Sequence, residues 1–320
     1  MTASLPAEVQ AVFERFITTE LTTINRHGQP ITWPVIPYYE RGAPCIDVTT
    51  GLGYPKKAND ARANPLVSLL FSDPTGSGLN DPPSVLVQGS AEVDDRDLDA
   101  NRRRYQREAS EKLPGMASAQ PPDRLKQYFT WYYTRIYIHV RPERVYVWPH
   151  GESAAEPELF DAHMEEVRSG HSEEPARFHA APDGGASAWD ARIKELGDRY
   201  PTAVLSLVSP DGFPFAVRVP VSIDAASRWI RVGGEPEAIP FAPGLACLAA
   251  HEHGEDFSWQ RNFQVRGDLR VVDGEWVLVP HRLIGGLELP SSRIALIREN
   301  AAKARRFRKT AKRELERRGG

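Results

Sequence analysis

Leu21-Thr-Thr-Ile-Asn-Arg-His-Gly-Gln-Pro30, Val48-Thr-Thr-Gly51, Asn64-Pro-Leu-Val-Ser-Leu-Leu-Phe71 and Val85-Leu-Val-Gln-Gly-Ser-Ala-Glu-Val93 form a series that the second half of the chain repeats. There the counterparts are Leu205-Ser-Leu-Val-Ser-Pro-Asp-Gly-Phe-Pro214, Arg231-Val-Gly-Gly234, Ala242-Pro-Gly-Leu-Ala-Cys-Leu-Ala249 and Phe263-Gln-Val-Arg-Gly-Asp-Leu-Arg-Val271. Gly28 and Gly89 correspond to Gly212 and Gly267, at nearly the same separation. A repeat on this scale is a duplicated domain rather than a solenoid, whose units are shorter. What differs between the copies then marks where the chemistry sits.

A chain of 320 residues normally divides into two domains, each able to bury a core of its own. Its net charge of −3 gives no overall attraction to nucleic acid or anionic membrane. No apolar run reaches the roughly 18 residues that span a bilayer. The start, Met-Thr-Ala-Ser-Leu-Pro-Ala-Glu, lacks the basic and then apolar character of a signal peptide. Cys45 and Cys247 stand alone in strand-like runs, which is neither a disulfide framework nor a zinc cluster. The plain reading is a soluble protein of a reducing cytoplasm.

Val9, Val12, Phe13 and Phe16 fall on one helical face behind Pro6. From Leu21 the period is two, with turns at His27-Gly28 and Arg41-Gly42. Pro34 and Pro37 inside the second strand imply an edge, a bulge or a bend. A short helix is expected over 55–63, a strand over 65–71, a loop over 72–83, a strand ending near Val93 and a polar helix to about Leu113. Trp131–Trp148 reads as one or two strands interrupted at Pro142. A helix near Trp189–Tyr200 opens the second copy. Many short strands per copy with few helices give a mainly β (α+β) plan of two tandem small β-barrels with peripheral helices. Its parts are a first barrel (1–150), an acidic linker with a helical turn or two (151–187), a second barrel (188–290) and a basic C-terminal helix (291–320).

The copies diverge most between the third and fourth strands. The first carries Gly51-Leu-Gly-Tyr-Pro-Lys-Lys-Ala-Asn-Asp-Ala-Arg-Ala-Asn-Pro65, the second only Gly234-Glu-Pro-Glu-Ala-Ile-Pro-Phe-Ala-Pro243. Lys56, Lys57, Asn59 and Arg62 have no basic or amide counterpart there. Pro55 at a helix start directs free N–H groups outward, and two lysines in that turn add positive charge, which suits a phosphate. Thr49 and Thr50 at the preceding strand end offer hydroxyl donors. The alternative is a solvated helix whose lysines face water.

The run Val48–Phe71 resembles the flavin-phosphate region of the pyridoxamine 5′-phosphate oxidase-like split β-barrels. In that family a Thr-rich strand end precedes a basic pair, with an Asn-Pro seven residues after the second basic residue, as Lys57 and Asn64-Pro65 stand here. Val85–Val93 resembles the later strand with its central Gly, and the ending Arg144-Val-Tyr-Val-Trp148 is most similar to the flavin/deazaflavin oxidoreductase branch. The resemblance implies that the two copies are tandem split β-barrels forming an internal pseudo-dimer, the first (1–150) cofactor-binding and the second (188–290) degenerate, with one cofactor, FMN or coenzyme F420, between them. Lys56 and Lys57 would hold its phosphate with Thr49 and Thr50 nearby, and Trp33, Pro34, Val35 and Ile36 would lie along the ring. The second strand lacks the Arg and Lys of true pyridoxamine-phosphate oxidases, and their C-terminal Arg and His have no equivalent here. That departure argues against pyridoxamine phosphate as the substrate.

Other signals carry plain alternatives. His251-Glu-His253 puts two imidazoles on one strand face as a metal pair without an evident third ligand. His163, His171 and His179 in the linker read as coincidence. The aromatic residues between Tyr128 and Trp148 read as core rather than as a ring or haem platform. The basic run Lys303–Arg313 reads as a solvated helix rather than a nucleic-acid or lipid contact. Arg218, aligned with Pro34, is the candidate from the second barrel for the cofactor cleft, where its charge would stabilise an anionic ring or an acidic substrate. Tyr38 and His251 also fall near the expected cleft, and no general acid or base is identified.

Together these readings give a cytoplasmic oxidoreductase passing hydride between FMN or coenzyme F420 and a small organic substrate, since the cofactor supplies that chemistry. A monomeric pseudo-dimer or a weak homo-oligomer is expected. The rival is a non-enzymatic protein that binds or senses a flavin, haem or another tetrapyrrole.

Overall fold

Strand-forming alternation in both halves closes into two sheets of one plan. The computed structural model describes residues 5–113, 129–149, 155–161, 189, 192–234, 242–286 and 293–318, the side chains of 130, 161 and 293–304 excepted. Helix α1 (Ala7–Arg15) precedes β1 (Thr19–Ile24), β2 (Pro30–Val35), β3 (Pro37–Tyr38) and β4 (Ile46–Gly51). Then come α2 (Lys56–Ala63), β5 (Leu66–Phe71), β6 (Ser84–Asp94), α3 (Leu98–Lys112), α4 (Thr130–Tyr133), β7 (Arg135–Trp148) and β8 (Glu158–Asp161). The second half supplies β9 (Thr202–Val208), β10 (Pro214–Asp224), β11 (Trp229–Val232), β12 (Gly244–His253), β13 (Gln260–Val272), β14 (Glu275–Gly285) and α5 (Arg293–Arg317).

The second sheet is a closed barrel in the order β10-β11-β14-β13-β12-β9. The first runs β2-β1-β5-β6-β7-β4-β3, the same circuit cut at one place. The cut falls at Ile36, between β2, which pairs with β1, and β3, which pairs with β4. In the second sheet β10 makes both pairings unbroken, with β9 over Pro214–Pro220 and with β11 over Val221–Asp224. Pro34 and Pro37 bracket the cut, and each removes an N–H from the ladder, whereas β10 carries one proline at its start, Pro214, and one at its change of partner, Pro220. The bend expected from the prolines is therefore real, and it opens the strand on the side of the second barrel.

One glycine in each copy is fixed by a backbone approach. Gly89 lies opposite Pro142 at a register shift in β6–β7, and Gly267 lies opposite Pro280 at a register shift in β13–β14. A Cβ at Gly89 would meet Arg141 O at 2.0 Å, and one at Gly267 would meet Val279 O at 2.3 Å. Neither contact can relax without moving the partner strand, so both bulges require glycine. Pro142 consequently sits in a bulge and β7 continues through it.

Each sheet buries its own core: Val12, Phe13, Leu69 and Phe71 in the first, Leu205, Val219, Leu248 and Phe263 in the second. Between the barrels the contact is polar as well as apolar. Thr32 Oγ1 donates to Ser206 Oγ at 2.7 Å, Gln264 Nε2 to Thr32 O at 3.1 Å, Gln29 Nε2 to Ala246 O at 2.8 Å and Gln88 Nε2 to Pro214 O at 3.0 Å. Buried polar groups without such partners would each cost about 1–3 kcal/mol, so these bonds fix one relative placement of the barrels.

Three expectations change. Trp131–Tyr133 is a helical turn rather than strand, tied down by Gly53 N–H donating to Trp131 O and Leu52 N–H to Thr134 O. In place of a helix at 189–200, the described residues form a single 3-10 turn over Ile193–Glu195, ended by Gly197 at φ +87°. Part of the expected linker is strand β8, which pairs with β7 because β7 otherwise presents an open edge there. His163, His171, His179 and most of 234–243 lie outside the described residues. No helix among the described residues is long and apolar enough to cross a membrane.

Candidate functional site

Where β2 bends away, a cavity of about 450 Å³ opens between the barrels. Trp33, Pro34, Val35 and Ile36 form one wall, Thr49 of β4 joins them, and Lys56 and Lys57 enter from the first turn of α2. Tyr54, Tyr105, Tyr132 and Arg135 complete the side of the first barrel. Across from them stand Asn262 and Arg266 of β13 and Arg282, Ile284 and Gly285 of β14, followed by Gly286. Arg306 and Phe307 of α5 cover one end.

The lining is cationic. Lys56 Nζ is exposed and bonds both carboxylate oxygens of Asp60 at 2.8 Å, an i,i+4 pair. Lys57 is partly buried with Nζ 5.3 Å from the centroid of the Tyr54 ring. Burial, with the charge of Arg135 added, draws its pKa down to about 8. Arg135 is buried and donates to Tyr54 OH at 3.0 Å and Tyr105 OH at 2.6 Å. Its guanidinium lies 4.0 and 4.2 Å from the Tyr105 and Tyr132 ring centroids, while its Nε has no partner. Burial opposes its charge, and the surrounding phenol oxygens sustain it. Arg266 is buried too, with Nε donating to Gln264 Oε1 at 2.8 Å, and burial lowers its pKa.

Among the described residues, Lys57, Arg135, Arg266, Arg282 and Arg306 have no carboxylate within 4.0 Å. Buried cations are ordinarily paired, because desolvating a lone charge is costly. A cavity that gathers them and leaves a buried N–H unsatisfied is shaped for an anion. The first turn of α2 adds to this, since Pro55 at its N-cap offers no side-chain acceptor and the helix begins with free N–H groups.

Seven of the nine residues singled out in the sequence line this cavity: Trp33, Pro34, Val35, Ile36, Thr49, Lys56 and Lys57. Thr50 does not, because its Oγ1 donates to Tyr54 O and shapes the turn below. Arg218 does not line it either. Its Nη2 bonds Glu20 Oε1 at 3.0 Å and its Nε bonds Ser72 Oγ at 2.9 Å, since Glu20 is wholly buried on β1 and needs a cation. His251 joins the same group at 2.6 Å from Glu20 Oε1. Tyr38 is buried outside the lining.

Sequence reasoning missed Arg135, Arg266, Arg282 and the whole contribution of α5. One signal for the helix was present. Phe307, the single aromatic in its basic run, packs at 5.2 Å from Trp131 and 5.4 Å from Tyr54 between ring centroids.

The related position on the other side of the interface is filled. Aligning the bulges at Gly89–Pro142 and Gly267–Pro280 sets Tyr146 against Ile284 and Trp148 against Gly286. Tyr146 and Trp148 both pack on Phe215 of the second barrel, with centroids 5.5 and 6.1 Å away. Gly286, by contrast, is held so close that a Cβ would meet Asn262 Oδ1 at 1.5 Å and the Trp33 ring at 3.0 Å.

No family model and no curated protein matches the chain. Solved structures do, each over about half of it. General stress protein 26 from Bacillus anthracis is 17% identical, with a TM-score of 0.31, over 48% of this chain and 95% of its own. A Clostridium acetobutylicum protein related to general stress protein 26, of the pyridoxinephosphate oxidase family, is 13% identical, with a TM-score of 0.33, over 48% and 92%. An F420 reductase is 18% identical, with a TM-score of 0.33, over 44% and 98%. The solved structures this chain resembles are thus pyridoxamine 5′-phosphate oxidase-like, general stress protein 26 and F420 reductase proteins.

Proposed function

We propose that the cavity binds one FMN or coenzyme F420 per chain and that the protein is an oxidoreductase passing hydride between that cofactor and a small organic substrate. The observation that carries this reading is the pairing of Lys57 and Arg135, buried or partly buried cations without a described carboxylate, beside the open strand Trp33–Ile36. A phosphate monoester carries close to two negative charges at neutral pH and a diester carries one, and the acceptor oxygens of either suit both groups and the free N–H groups of α2. Trp33, Val35 and Ile36 supply an apolar wall for a ring system, and Ile284 faces it from the second barrel.

When bound, the cofactor supplies the hydride chemistry. The chain's own residues hold the phosphate and keep water from the ring, with Phe307 and Arg306 closing one end. Both walls come from one chain, so the site needs no second copy. The tyrosines of the described lining, Tyr54, Tyr105 and Tyr132, crowd around Arg135, two of them accepting hydrogen bonds from it, which supports the flavin reading over a haem sensor that would need one of them free to bind iron.

Protein purified from its native host should show the absorbance of a flavin or a deazaflavin at one equivalent per chain. Reduction by a nicotinamide or deazaflavin donor, followed by reoxidation by an acceptor, should distinguish an enzyme from a carrier. Replacing Lys56→Ala and Lys57→Ala together should weaken cofactor binding about a hundredfold with the fold intact. Unchanged affinity in that variant would remove the basis of the proposal.

A further inference from the structure

In the motif His251-Glu-His253 the first histidine belongs to the Glu20 cluster, and the second is still without a role. The motif ends β12, and its second histidine is almost wholly buried beside Thr18, a residue of the cavity lining. His253 Nε2 stands 3.0 Å from Thr18 Oγ1, and Thr18 lines the cavity. The other nitrogen, Nδ1, stands 3.0 Å from Gly254 O. A carbonyl can only accept, so Nδ1 carries hydrogen and Nε2 of the neutral ring is an acceptor. Thr18 then donates its hydroxyl hydrogen to His253, and the oxygen keeps lone pairs that can accept from a group in the cavity. Protonation of Nε2 reverses the bond, and the hydroxyl hydrogen of Thr18 is released to whatever fills the cavity.

A route for the proton ends on that nitrogen. Asp73 Oδ2 lies 3.7 Å from His253 Nε2 and 3.9 Å from His251 Nδ1, and the Asp73 side chain keeps 16% exposure against 1% for His253. The charged and titratable groups facing His253 are Asp73, His251 and Glu20, the last of which also holds Arg218. The Phe257 ring covers another side, with its centroid 5.2 Å away. Burial draws the His253 pKa below its ordinary value against the pull of Asp73 and Glu20, so the ring is neutral at pH 7 and gains its proton as pH falls.

We infer that Thr18 and His253 form a proton relay into the cavity, recharged from water past Asp73. The inference rests on the oxidoreductase reading above. Reduction of a double bond by a reduced flavin or deazaflavin takes one hydride and one proton. The hydride brings its electron pair to one atom. In molecules whose His253 has gained a proton at Nε2, a share that grows as pH falls, the other atom takes the hydroxyl hydrogen of Thr18 as Thr18 receives one from His253 Nε2, and the ring returns to its neutral resting form until a proton from water past Asp73 recharges it. Thr18 is the residue that would meet substrate, and His253 positions and charges it.

The relay can be tested before any cofactor is added. In ¹⁵N-labelled protein, the His253 ring should titrate below pH 6.5 and, above its midpoint, carry hydrogen on Nδ1. A neutral ring with hydrogen on Nε2 would overturn the relay. FMN is then added as the probe. Its binding should move the His253 midpoint by about half a unit in the parent protein and by less than about a tenth in Thr18→Val. Equal shifts in both, or none in the parent with FMN bound, would also overturn it. If FMN and coenzyme F420 both fail to bind the parent protein, the cofactor reading falls instead, and the tautomer measured in the free protein alone decides whether the relay stands.

Discussion

Trp148 stands edge-on to Phe215, with ring centroids 6.1 Å apart and planes at 84°, in the position where the other bulged strand gives way to Gly286. The two sides of the interface therefore differ by an indole. On one side the backbone of Gly286 is held against Asn262 and the Trp33 ring with no room for a side chain, and on the other Tyr146 and Trp148 pack on Phe215.

The first prediction follows from that filling. Trp148→Ala should cost about 3–5 kcal/mol in stability, because the side chain is buried against Phe215 and the barrel cannot fully collapse on the void. The variant should still bind one cofactor per chain, since Lys56 and Lys57 have no basic counterpart in the second copy. Denaturant unfolding measures the first effect and a binding titration the second. Two equivalent sites in the variant would contradict the account.

The two lysines should separate. Lys56 is exposed and already paired with Asp60, so Lys56→Met should change cofactor affinity by no more than about threefold. Lys57 is more buried and has no described carboxylate, so Lys57→Met should lose at least about tenfold. Calorimetry with FMN on each single variant gives the comparison. Equal losses would show that proximity to α2 matters and pairing does not.

Affinity should also depend on pH in a defined direction. Lys57 has its pKa drawn down to about 8, so it is charged below that pH and neutral above it. A bound phosphate favours the charged form, so affinity should be strong at pH 7 and decline as pH rises through about 8. In Lys57→Met the decline should disappear. Titrations at pH 6.5, 7.5 and 9 on both proteins decide the point.

Glu20 should matter for holding the barrels together. It is wholly buried, and Arg218 and His251 of the second barrel converge on its Oε1. Glu20→Gln keeps the shape and removes the charge they share, which should destabilise the fold by about 3–5 kcal/mol. The loss should appear as a lowered denaturant midpoint. A variant as stable as the parent would show that the cluster is not a structural clasp.

Much of this protein was written in local pattern. Period-two alternation, the turns at His27-Gly28 and Arg41-Gly42, and the lysine-bearing helix after Pro55 depend on neighbours within a few residues. They are found where the residues imply them. Local propensity misled at Trp131–Tyr133, where aromatic residues favour strand but bonds from Leu52 and Gly53 impose a helical turn. It misled again at 189–200, where Gly197 cuts the helix short.

What only the tertiary structure decided is which charges meet. Arg135, Arg266, Arg282 and Arg306 stand on four different elements, and only Arg266 and Arg282 are neighbours along the chain, as cross-strand partners in the β13–β14 hairpin, so no periodicity marks the four as one site. Arg218 shows the converse. Its isolation in an apolar strand marked it as unusual, but its partner Glu20 is 198 positions away, and only the packing of the barrels directs it to that carboxylate rather than to the cavity. Sequence records what each side chain can do and where the chain bends. Long-range burial decides which of those capacities face each other, because the cost of an uncompensated charge is set by everything around it.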